Sequence, residues 1–157
     1  MKAVQSSVKE GRPAQAEGAP ALRLGSRRSA VHVIFTTPQA TRAALRAANA
    51  MMQSREGRIH FLVPQVVPMG FPIDQPPVAV AFAEQRAAGM VRECCRNIAV
   101  QVRIVLCGNR EQCIERTLDP NSLVIIGSRK QPWLTTEWKL ARQLRARGHR
   151  VIHVLEP

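Results

Sequence analysis

Apolar residues fall into regular spacings only after position 28. Val31-His-Val-Ile-Phe35 is a short β-branched run that predicts a strand. Thr37 then suits a helix cap and Pro38 the first helical turn, where no N–H donor is needed. Ala40, Ala44, Ala47 and Met51, with Ala43 and Ala48, recur at helical spacing, and Gly57 marks the expected helix end. Arg58–Val63 predicts a second strand, and Pro64–Pro77 is too proline-dense for regular structure. A second helix spans about Val80–Asn97, with Ala87, Val91, Cys94 and Ile98 on one stripe. Val100–Leu106 predicts a third strand whose alternating first half suits a sheet edge with one wet face. Asn109 caps a helix through Leu118, which Asp119-Pro120 ends. Leu123–Ile126 is wholly apolar, as an interior parallel strand requires. A last helix runs from about Thr136 to Arg147, and Arg150–Leu155 is the fifth strand.

Strands alternating with helices in this way imply right-handed crossovers and a five-stranded parallel α/β sheet with helices on both faces. Ligands of such sheets sit beyond the carboxyl ends of the strands, where the winding reverses. The loops holding Thr36-Thr37 and Gly127–Lys130 should therefore meet. Residues 1–28, rich in Gly, Ala, Pro and Ser, read as a disordered basic tail, and residues 29–157 as the folded domain.

Composition narrows the function without naming it. The 157 residues are 45% apolar and 22% charged, ordinary for a globular protein long enough to bury a core. The chain has neither an apolar run of membrane-spanning length nor a secretory h-region near its start, so no membrane span and a cytoplasmic location are expected. The net charge is +12; residues 29–157 hold 17 cations against 9 acids, so the domain alone stays near +8. Such basicity attracts nucleotides or nucleic acid generically. Cys94, Cys95, Cys107 and Cys113 match no zinc or redox spacing and read as buried inert thiols.

The segment LVIIGSRKQPWLTTEW, residues 123–138, holds the ingredients of an anion loop. Gly127 permits close backbone approach, Ser128 offers a hydroxyl and an N–H, Arg129 and Lys130 add charge, and Thr135 and Thr136 stand at a helix start. A plain strand-to-helix connection needs only Gly127 for the turn and one threonine as cap. From these residues alone the plain connection is the stronger reading.

Three stretches carry a family likeness: VHVIFTT at residues 31–37, DPNSLVIIGSR at 119–129, and GHRVIHVLEP at 148–157. Together they make residues 31–155 resemble a universal stress protein domain. The resemblance implies strand order 3-2-1-4-5, a homodimer through the C-terminal strand, and ATP binding in some members. The candidate cofactor-binding residues it implies are Thr36, Thr37, Gly127, Ser128, Lys130, Thr135 and Thr136. The chain departs from the ATP-binding pattern at several places. Lys130 stands where a second glycine belongs, Pro132 and Trp133 stiffen the loop, Thr135-Thr136 replaces a Gly-Ser or Gly-Thr pair, and Thr36-Thr37 replaces the acid after the first strand. A degenerate member is therefore expected, with no cofactor or only a weakly bound ATP or anion.

Other constellations are bland. His32, His60 and His153 lie in strands without nearby acids, which suits satisfied strand histidines rather than metal ligands. No nucleophile elbow or P-loop is present, and Asp119 suits a turn, so no enzyme is expected. Trp138 should pack against the sheet, and Trp133 should shield the loop or a partner face. Arg142 and Arg145, three apart on the last helix, read as a solvated face. The expected function is a non-catalytic regulatory or interaction protein of the stress type. The alternatives are a nucleic-acid or polyanion binder using the tail and last helix, and a weak ATP-binding stress protein.

Overall fold

The computed structural model describes residues 29–130 and 135–157; the expected basic tail and Trp133 lie outside them. The element order is β1 (Ser29–Ile34), α1 (Pro38–Met52), β2 (Gly57–Val66), α2 (Val80–Cys94), β3 (Ala99–Cys107), α3 (Arg110–Thr117), β4 (Leu123–Ser128), α4 (Thr136–Ala146) and β5 (Arg150–Leu155). The five strands form one sheet in the order β3-β2-β1-β4-β5, and every pairing is parallel. Alternation along the strands divides the core in two. Val31, Val33, Ile59, Phe61, Val102, Ile104 and Ile125 face α1 and α2, while Ile34, Leu62, Val105, Val124 and Ile126 face α3 and α4. Each fully buried branched or aromatic side chain contributes roughly 1.5–3 kcal/mol, so both layers are needed to hold the sheet.

Several local expectations shift for identifiable reasons. Gly57 does not end α1; that helix stops at Met52, and Gly57 opens β2. A Cβ there would meet the Ser29 carbonyl oxygen at 2.2 Å, so glycine permits the strand to start flush against β1. The buried stripe of α1 runs through Ala40, Thr41, Ala44, Leu45, Ala48 and Met52, leaving Ala43, Ala47 and Met51 half-buried. Pro64 lies inside β2 rather than in the following loop. The Leu62 carbonyl accepts from the Phe35 N–H at 2.9 Å, so even-numbered residues of β2 bond toward β1. Beyond Leu62, β1 has no further paired residue, and a missing donor at position 64 costs nothing there. Finally, α2 ends at Cys94, and Asn97 takes a positive φ of 62° in the turn to β3.

Candidate functional site

At the carboxyl edge of the sheet, the loop after β1 and the loop after β4 meet. The Thr36 hydroxyl donates to the Gly127 carbonyl at 3.0 Å, and the Thr36 N–H donates to Thr41 Oγ1 at 3.0 Å. Thr37 caps α1 by accepting from the Ala40 N–H at 3.3 Å, and Thr135 caps α4 by accepting from the Trp138 N–H at 3.3 Å. Two capped helix N-termini thus converge on the end of β4, and both present positive dipole ends.

Between them lies a cleft of about 240 Å³ lined by Thr37, Ala40, Ser128, Arg129, Thr135, Thr136 and Glu137. A second cavity of about 380 Å³ is lined by Gln39, Arg129, Lys130, Glu156 and Pro157. Arg129 belongs to both, so the two hollows share a wall. Of the seven candidate residues, Thr37, Ser128, Thr135 and Thr136 line the first hollow. Lys130 lines the second, and Thr36 and Gly127 bind each other across the gap between strands.

The chemistry of this cleft is mixed. Arg129 and the helix ends favour an anion, but Glu137 brings a carboxylate into the first turn of α4, where it complements the dipole itself. Gly127 does permit a close approach, and the approaching group is α1: an added Cβ would meet the Ala40 carbonyl oxygen at 1.9 Å. Ser128 is buried, and its hydroxyl donates to the Arg129 carbonyl at 3.3 Å.

No family model matches the sequence, and no curated protein does. Solved structures match in fold. A universal stress protein in complex with cAMP superposes with a TM-score of 0.51 at 13% identity, over 84% of this chain and all of the other. A universal stress protein family member from Burkholderia pseudomallei gives 0.53 at 19% identity, over 83% of this chain and 98% of the other. The chain has the universal stress protein fold.

Within this universal stress protein fold, sequence reasoning missed five wall residues: Gln39, Ala40, Glu137 and the closing Glu156 and Pro157. Their only signal was position next to a named loop. Phe35 was also missed as a fixed point. Its carbonyl accepts from Arg110 Nη2 at 2.9 Å, and its ring lies 4.8 Å from the Arg86 guanidinium. The basic face of α4 is exposed, as expected, and its cations make contacts within the chain at the surface. Arg142 lies 5.7 Å over the Trp138 ring, Arg145 donates to the Val151 carbonyl at 3.0 Å, and Arg147 pairs with Glu115 at 3.1 Å. Trp138 belongs to neither core cluster; Arg142 covers it, in place of the expected packing on the sheet.

His32 and His60 are register partners whose rings stack at 5.0 Å and 17°. Burial, then the neighbouring His60 charge, pulls His32 down to about 4; burial, then Arg58, also lowers His60. Among the described residues, no group of three or more His, Cys, Asp or Glu could hold a metal. No described helix is long and apolar enough to cross a membrane.

Proposed function

We propose that this chain is a cytoplasmic, non-catalytic regulatory or interaction protein of the universal stress type, whose nucleotide cleft has become structural. The observation that carries this reading is the occupation of Gly127. Its flank, the side a Cβ would occupy, is filled by the Ala40 carbonyl, and the Thr36 hydroxyl, a donor a phosphate could use, is spent on the Gly127 carbonyl. The hollow of about 240 Å³ is also below the ~300–1,000 Å³ of ordinary ligand pockets, while the adjoining one of about 380 Å³ lies at the low end of that range. An anion at Arg129 and Lys130 is the weak binding that remains, and no resident cofactor is needed. One structural neighbour is known in complex with cAMP, so cyclic nucleotide is tested beside ATP.

The test is a thermal shift on the full chain with millimolar ATP, cAMP or inorganic phosphate. A ligand at 100 times its Kd adds about 2.7 kcal/mol, or roughly 5–11 °C for a domain of this size. The expected shift is under about 2 °C, as for a ligand no further above its Kd than about twofold. A shift of several degrees with ATP, or nucleotide co-purifying with the chain, refutes the reading.

A homodimer through β5 is part of the proposal. This strand is a sheet edge, with Ile152 and Val154 half-buried and Leu155 49% exposed. Sedimentation equilibrium should show a dimer that a Val154→Lys change dissociates; a monomer at all concentrations removes this part. Polyanion binding is the alternative: Arg142, Arg145 and Arg147 are exposed, and a polyanion would have to displace only their surface contacts to Trp138, the Val151 carbonyl and Glu115.

A further inference from the structure

Of the seven large apolar side chains exposed among the described residues, six lie in one stretch that ends β2 and opens α2: Val66, Met69, Phe71, Ile73, Val78 and Phe82. Single exposed apolar residues are ordinary, but a group this dense marks a surface that meets something less polar than water. The stretch is built rather than slack. The Phe71 N–H donates to the Pro68 carbonyl at 3.2 Å and the Gln75 N–H to the Pro72 carbonyl at 3.0 Å, closing two successive turns. Gly70 supplies the φ of 98° that the first turn needs. The Gln65 side-chain amide donates to the Val78 carbonyl at 2.9 Å and ties the far end of the loop back to β2. Met69 holds a central position of the first turn and is 100% exposed. We propose that this loop is a membrane-contact element, which seats Met69, Phe71 and Ile73 in the headgroup–acyl boundary of an anionic lipid surface without crossing it.

Three observations favour lipid over a protein or a second copy. The apolar group projects, with Met69 foremost, and a projecting tip needs either a socket or a fluid that closes around it. Neither of the two hollows described above has a large apolar side chain in its wall, so another copy offers no matching socket there. The backbone is also prepared to leave water. Pro68, Pro72, Pro76 and Pro77 carry no N–H, and the N–H groups of Val67, Phe71 and Gln75 are already bonded within the chain. Few donors would be stripped of water by an insertion of roughly 5–10 Å.

Charge supplies the third observation. Asp74 is the one ionisable residue between Pro64 and Ala83, while residues 29–157 hold 17 cations against 9 acids. Arg129 and Lys130 stand exposed on the same carboxyl edge of the sheet. A basic body is drawn to an anionic leaflet, and an apolar tip then holds it there. Glu84 and Glu111, half-buried near the starts of α2 and α3, oppose the pull locally, so insertion rather than charge carries most of the binding.

The test is co-sedimentation of the full chain with vesicles of phosphatidylcholine plus phosphatidylserine, and with vesicles of phosphatidylcholine alone. The wild type should bind both, the mixed vesicles more tightly. Met69→Glu and Phe71→Glu should each lower the partition coefficient about tenfold or more, since burial of one such side chain is worth at least a decade. Both positions are exposed, so the circular dichroism of each variant should match the wild type. Raised salt should weaken binding to the mixed vesicles without abolishing it. Failure to bind either vesicle overturns the proposal. So does binding that both glutamate variants retain and salt abolishes, which would be charge alone. Self-association without lipid that Met69→Glu abolishes and Val154→Lys leaves intact would make the loop a contact between copies, and also overturns it. Equal binding to both vesicles overturns the anionic assignment.

Discussion

Replacing Gly127 with alanine tests the packing on which the cleft depends. The new Cβ would lie 1.9 Å from the Ala40 carbonyl oxygen, 2.4 Å from its carbon and 3.1 Å from its Cα. Ordinary contact begins at 3.4 Å, so the first turn of α1 would have to retreat by about 1.5 Å. That retreat cannot be absorbed by a rotamer change, because the obstacle is backbone. It would also pull Thr36 and Thr37 away from β4, stretching the 3.0 Å bond between Thr36 and the Gly127 carbonyl. Overpacking with a side chain that can move costs about 1–3 kcal/mol; against fixed backbone the upper end applies, about 3 kcal/mol. A domain of this size loses roughly 2–4 °C per kcal/mol, so the midpoint should fall by roughly 6–12 °C. Urea unfolding followed by circular dichroism measures this directly, with the midpoint shifted and the slope unchanged. A loss below about 1 kcal/mol would mean that α1 does not press on position 127, and that the glycine had been left open for a ligand after all.

Gly89 is the control: nothing lies within 4 Å of an added Cβ and the residue is inside α2, so Gly89→Ala should stabilise by roughly 0.5–1 kcal/mol in the same urea assay, and destabilisation would contradict the helix. Thr37→Ala removes the cap of α1 and should cost about 1 kcal/mol, read from the same unfolding curves. Acid should also unfold the chain early. His32 binds its proton near 6.5 when unfolded but only near 4 when folded, so its contribution is complete above pH 6.5 and is lost as pH falls toward 4. The loss amounts to about 3 kcal/mol across that window, and His60 adds in the same direction. Stability curves for His32→Leu should be flatter between pH 6.5 and 4; an unchanged slope would remove the stacked pair as the cause.

How far the sequence carried the reading depends on range. Helix caps at Thr37, Asn109 and Thr135 were legible because each is a local event between a hydroxyl or amide and an N–H three residues on. The order of the strands followed from the family likeness, and the meeting of the Thr36 and Gly127 loops followed from topology. Small residues were the least legible. Gly57 read locally as a helix stop but opens β2, and Gly127 read as a turn or a phosphate contact; what presses on each comes from another element, Ser29 in one case and Ala40 in the other. No window of sequence around a glycine contains its distant neighbour.

That limit has a consequence for the cleft itself. The small residues at Ala40 and Gly127 and the hydroxyls at Thr36 and Thr37 fit a binding loop and a tight helix–strand junction equally well, because both demand close approach and a donor. Only the partner distinguishes them. Here the Thr36 hydroxyl and the flank of Gly127 have partners inside the chain, and of the two exposed cations of the junction Arg129 lines both hollows and Lys130 only the second. An anion bound there would contact side chains rather than the backbone of β4. Its affinity should therefore fall steeply with added salt, as surface charge pairs do, while a backbone-cradled phosphate would resist the same salt.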